Sequence, residues 1–142
     1  MTNSEKLQNI AKQKLKLTIN SFSYKRGYPQ DLSGNGGGFV FDCRAIHNPG
    51  RYEEYKSLNG RDKLVIEFLE KENDAQLFFE NSLEMVSQSI KTYLDRNFTN
   101  LSVSFGCTGG QHRSVFFAEK LAKALSQNPD IDIVLKHLEQ NK

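Results

Sequence analysis

Apolar and polar positions alternate through "LKLTINSFSY", where Leu15, Leu17 and Ile19 are separated by polar partners; this period of two predicts a strand. "KRGYPQDLSGNGGG" follows, and its glycines and proline predict a flexible loop. The short apolar run Phe39 to Cys43, "FVFDC", is compatible with a buried strand. Pro49, Gly50 and Gly60 then break the chain into loop and turns. From Asp62 the period changes to that of a helix, with Leu64, Val65, Phe68 and Leu69 on one side. Asn73 and Asp74 are candidate caps for a second helix, in which Phe79, Leu83, Val86, Ile90 and Leu94 recur at steps of three and four. "NLSVSF" alternates again as a strand. Val115, Ala118, Leu121, Ala122 and Leu125 mark a further helix that Pro129 ends, and "IDIVL" adds a last short strand before the tail.

Strands separated by helices predict an α/β fold: one domain over residues 1–142, with a largely parallel sheet of about four strands flanked by helices. Residues 1–13 read as a polar, basic N-terminal segment, and 130–142 as a short strand and tail. In parallel sheets, ligands sit at the carboxyl ends of strands. Three chemically loaded segments fall at such ends: Lys25–Arg26, Asp42–Arg44 and Cys107–Ser114.

The third is the most informative. "GCTGGQHRS" lies between a predicted strand and a predicted helix. Glycines let backbone N–H groups approach a ligand, and a helix start adds unpaired N–H groups at the positive end of its dipole. Arg113 has the fork that matches phosphate oxygens, and Thr108 and Ser114 carry hydroxyls. The segment Thr108, Gly109, Gly110, Gln111, His112, Arg113, Ser114 is thus a candidate phosphate cradle, with Lys25, Arg26, Arg44 and Asn48 as accessory residues. Arg44 has two open roles, facing the same anion or pairing with Asp42; Asn48 fits loop shaping at least as well.

A catalytic alternative exists. Cys107, Gly110, Arg113 and Ser114 match the C-x-x-G-x-x-R-[ST] pattern of cysteine-dependent phosphatases, in which a thiolate attacks phosphorus and an arginine holds the phosphoryl oxygens. Asp42 or Asp62 would be the acid. Those phosphatases generally carry a histidine before the cysteine, where this chain has Gly106. The competing reading of Cys107 is a small buried residue at a strand end. No G-x-x-x-x-G-K-[ST] segment occurs, so Walker-type nucleotide hydrolysis has no support.

Composition narrows the picture further. The net charge of +2 is too small to argue for nucleic acid. Up to Arg26, however, six basic residues face only one acid, Glu5, a distribution that attracts phosphates or simply solvates a surface. A mean hydropathy of −0.59 and the lack of a long apolar run exclude a membrane helix, and the polar start lacks the apolar centre of a secretion signal. A cytoplasmic location is the expectation. Two cysteines build no disulfide framework, and neither a metal site nor a cofactor is indicated.

"SFSYKRG", "FVFDCRAIHNP", "LNGRD" and "GCTGGQHRSV" together resemble the C-terminal domain of the RapZ family of bacterial nucleotide-binding or RNase adapter proteins, from about Leu15 to Leu125. The resemblance implies a fold similar to a phosphofructokinase subdomain. It also implies a regulatory adapter that senses an amino-sugar phosphate, glucosamine-6-phosphate, and presents small RNA to an endoribonuclease. Thr108, Gly109, His112, Arg113 and Ser114 would bind the phosphorylated ligand, and Lys25, Arg44 and Asn48 match further family positions. Family members carry a P-loop kinase-like domain before this part, so the chain is expected to be a free-standing version; self-assembly or a separate kinase-like partner stays open. Arg26 stands where histidine is common, Gln111 where some members have lysine, and His47 where they have proline. The tail "IDIVLKHLEQNK" has few of the cations that RNA-active members carry. The favoured expectation is a binding module without catalysis, for a sugar phosphate or nucleotide, with RNA or RNase contact as the family's further implication.

Overall fold

The computed structural model describes residues 13–140. Among the described residues there are four strands, β1 (Leu15–Ser23), β2 (Phe39–Asp42), β3 (Asn100–Cys107) and β4 (Ile131–His137). Helices α1 (Lys63–Glu70) and α2 (Asn73–Asp95) join β2 to β3, and α3 (Arg113–Leu125) joins β3 to β4. The sheet has the order β2-β3-β1-β4 and every neighbouring pair is parallel. This is the single α/β layer arrangement that the alternation of periods predicts.

The alternation in β1 divides the sheet's two faces. Leu15, Leu17 and Ile19 are fully buried in the core, together with Leu101, Val103 and Phe105 of β3. Helix α3 supplies Phe117, Ala118 and Leu121 to that core, and α2 supplies Phe79, Val86 and Ile90. Ring contacts carry the layers together: Phe105 of β3 stacks on Phe117 of α3 at 6.0 Å, and Phe41 of β2 meets Phe78 of α2 edge-on at 6.3 Å. Lys16, Thr18 and Asn20 point the other way. With Asn100 and Ser102 they floor a hollow of about 410 Å³ whose rim is the connection between β1 and β2.

That connection crosses the sheet from β1 past β3 to β2, while the α3 connection crosses from β3 past β1 to β4. The two run in opposite directions. Right-handed crossovers therefore put them on opposite faces, and the residue 24–38 segment, which contains neither helix nor strand, spans the face away from the helices.

Three local expectations change. β2 is an edge strand with Phe39 and Phe41 turned inward and Val40 exposed, because only β3 flanks it. Leu64 is exposed, since Val65 and Leu69, four apart, already define the buried stripe of α1. The cap position of α2 is Glu72, not Asn73 or Asp74, and its side chain makes no capping bond because Oε1 is paired with Nδ1 of His47 at 2.8 Å.

Candidate functional site

Parallel pairing brings the ends of β1, β2 and β3 to one edge, and with them the three segments singled out by sequence. Main-chain bonds continue the sheet past its last residues: Tyr24 N donates to Cys107 O at 3.0 Å and Cys43 N to Gly106 O at 2.8 Å. Ser23 Oγ donates to Thr108 O at 2.6 Å and fixes the first residue of the glycine loop.

The loop itself is held through its carbonyls and side chains. Gly60 N donates to Gln111 O at 2.7 Å, and Gln111 Nε2 donates to Glu139 O at 3.0 Å. Gln140 Nε2 donates to Gln111 Oε1. His112 donates from Nε2 to Tyr55 O at 2.8 Å, so this ring braces the loop against the single-turn 3-10 helix Glu53–Tyr55. Gly110 turns the chain at φ +72, with Ser23 and Glu139 packed against it. Gly109 and Thr108 face solvent, and nothing crowds the Cα of Gly109. Among the described residues nothing accepts from the amides of Gly109, Gly110, Gln111 and His112. Unpaired N–H groups at the start of a helix are an anion-binding arrangement.

Arg113 departs from its expected role. Its side chain is only 4% exposed, and Nη1 donates to Arg44 O and Ile46 O, each at 2.8 Å. It ties the segment after β2 to the start of α3 instead of reaching outward with its fork. Nε is buried without a partner. Ser114 is likewise buried, its Oγ accepting from Cys107 Sγ at 3.2 Å.

The accessory cations differ in their engagements. Lys25 is exposed. Arg26 Nε lies 3.8 Å from Glu139 Oε2. Arg44 settles on Asp42 through two bonds of 2.9 and 2.8 Å, and its Cζ stacks 3.8 Å from the Tyr24 ring centroid. Asn48 shapes the loop: Oδ1 accepts from Gly50 N at 2.9 Å and caps the 3-10 turn Pro49–Arg51.

The catalytic alternative meets two obstacles. Cys107 is buried, touching the hydroxyl and amide of Ser114. The bond from Arg44 holds the Asp42 carboxyl below the usual aspartate range, whereas a leaving-group acid must keep its proton. Asp62 Oδ2 accepts from Asn59 N at 2.7 Å, within its own turn. Burial pushes the second thiol, Cys43, well up. Among the described residues no group of three or more His, Cys, Asp or Glu is placed to hold a metal, and no helix is long and apolar enough to cross a membrane.

Sequence reading missed the residues that lock this edge from the β4 side. Glu139 and Gln140 clamp Gln111. Ser21 Oγ and Glu119 Oε1 bond the two ring nitrogens of His137, at 2.7 and 2.8 Å. No short motif signals such contacts, because Ser21 and His137 lie 116 positions apart and meet only through strand pairing.

The chain is a parallel α/β domain whose glycine loop, between an inner strand and a helix start, lies where open sheets of this class hold ligands. The particular family follows from comparison: the model of the RapZ C-terminal domain matches residues 15–141, and the chain belongs to that family. A nucleotide-binding protein of Dinoroseobacter shibae is 42% identical over 112 residues, covering 79% of this chain and 36% of its own length. Nucleotide-binding proteins of Ruegeria sp. and Corynebacterium efficiens are 36% and 33% identical over 135 residues, covering 95% of this chain and 43% and 41% of their own lengths. The chain thus spans about two fifths of these relatives.

Proposed function

We propose that the loop from Thr108 to Ser114 binds the phosphate of a small ligand, a nucleotide or a sugar phosphate, and that the domain acts as a regulatory binding module. One observation carries this reading: four consecutive loop amides, from Gly109 to His112, have no acceptor among the described residues. Four such donors in a row at a helix start, beside an open glycine, suit an anion. Arg113 supports the cradle from behind, as the post that sets the loop's shape and as a buried positive charge. Lys25, Arg26 and Arg44 follow β1 and β2, the strands that flank β3, on exposed side chains, with Arg26 and Arg44 already beside Glu139 and Asp42. The names of the relatives agree with a phosphorylated ligand.

Regulation needs no chemistry at this site. A ligand that favours one arrangement of the edge over another shifts contacts made there, and RNA or a protein partner would read the difference. Chemical-shift titration of the labelled chain with AMP and with glucosamine-6-phosphate tests the reading. Shifts centred on the amides of residues 108–114 are expected; shifts confined to the hollow beside Lys16 and Ser102 would overturn it.

The contact of Cys107 Sγ with Ser114 Oγ at a helix start favours a second reading, a phosphatase with Cys107 as nucleophile. Turnover of an aryl phosphate, lost in Cys107→Ser, would support it.

A further inference from the structure

We infer that Tyr28, backed by Phe22, Tyr24 and Arg44, forms a stacking wall for a nucleobase, so that the ligand of the neighbouring cradle is a nucleotide; this rests on the phosphate reading above. Tyr28 is 70% exposed, yet it is not isolated. Its ring lies 5.8 Å from Tyr24 and 5.9 Å from Phe22, and Phe22 lies 4.9 Å from Tyr24. Gly27, at φ +94, makes the turn that returns Tyr28 to its strand end.

The cluster sits on the end of the strand that runs into the cradle. A side chain at Gly106, one residue before Cys107, would collide with Phe22 Cζ at 2.4 Å and Tyr24 Cε2 at 2.6 Å, so the two rings lie directly on the end of β3. Tyr24 is joined to that strand through its N–H to Cys107 O. The guanidinium of Arg44 covers one side of Tyr24, held in place by its two bonds to Asp42. A planar cation and an exposed ring, both at the border of an anion loop, match a base linked to a phosphate; a sugar phosphate would leave the large apolar surface of Tyr28 in water.

Tyrosine fluorescence reads the contact, because the chain has five tyrosines and no tryptophan. The full chain is titrated with AMP and with ribose 5-phosphate, the latter followed by calorimetry. AMP should quench the emission and bind roughly tenfold tighter than ribose 5-phosphate, the scale of one base–aromatic stack. Y28A should remove most of that preference while leaving ribose 5-phosphate affinity unchanged, and Y28F should keep it. Equal affinities in the unaltered protein, or equal weakening of both ligands in Y28A, would overturn the base wall alone. Failure of both ligands to bind would overturn the cradle and the wall together.

Discussion

Nη1 of Arg113 donates to the carbonyl oxygen of Ile46 at 2.8 Å, across a sequence separation of 67 residues. The same nitrogen reaches Arg44 O, so one buried side chain fastens the exit of β2 to the first turn of α3. Arg113→Ala leaves two carbonyls without their donor. It should lower stability by about 2–4 kcal/mol, on the scale of charged hydrogen bonds and the unpaired groups left behind. Urea unfolding measures the loss. Lysine at 113 should recover only part of it, having a single ammonium in place of the planar fork.

The two loop glycines should respond in opposite ways. Alanine at Gly110 meets a φ of +72 and Glu139 Cγ at 2.6 Å, so thermal denaturation should show a loss of about 1–3 kcal/mol. Alanine at Gly109 meets empty space and should leave the melting temperature unchanged. Its methyl group would instead stand where a phosphate approaches, and calorimetry should show weaker AMP binding. Unchanged affinity in Gly109→Ala would place the ligand elsewhere.

Cys107→Ala separates binding from catalysis. Its thiol is buried and bonded to Ser114. The expected outcome is no aryl-phosphate turnover in the unaltered protein and undiminished AMP binding in the variant. Turnover that disappears with the thiol would instead favour the phosphatase.

Acid should weaken the loops around this edge. The Arg44 side-chain bond holds Asp42 low, and the Ser33 and Gly37 bonds hold Asp31 low. A carboxylate whose value is depressed on folding contributes stability above its unfolded value, and that contribution is lost as pH falls through the folded one. Urea midpoints should therefore decline on acidification through the aspartate range. Both groups are largely solvated, so the decline should be modest, and Asp42→Asn should flatten it.

The periodicity was enough to expose the layer order, because Leu15, Leu17 and Ile19 declare one buried face and Phe79, Val86 and Ile90 declare another. The glycine motif likewise declared its place between β3 and a helix. The direction of Arg113 was not legible: a guanidinium that binds phosphate and one that binds carbonyls occupy the same letter in the same motif. Arg44 was ambiguous for a similar reason, and its bonds to Asp42 two residues earlier resolve it. Glu139 and His137 gave no sign at all. Their partners are set by β4 lying beside β1, an order that depends on crossover direction and not on local pattern.

The bridge from Tyr24 to Gly38 crosses the side of the sheet that no core layer occupies, and Leu32 near its middle is 88% exposed. Between its anchored ends, its length and composition are consequently less tied to the core than those of the spans that carry α1, α2 and α3. Evolution can lengthen, shorten or recharge that bridge while the scaffold stays constant. Diversity in what such domains recognise should concentrate there, next to a glycine loop pinned by Ser23, Gly60, Glu139 and Gln140.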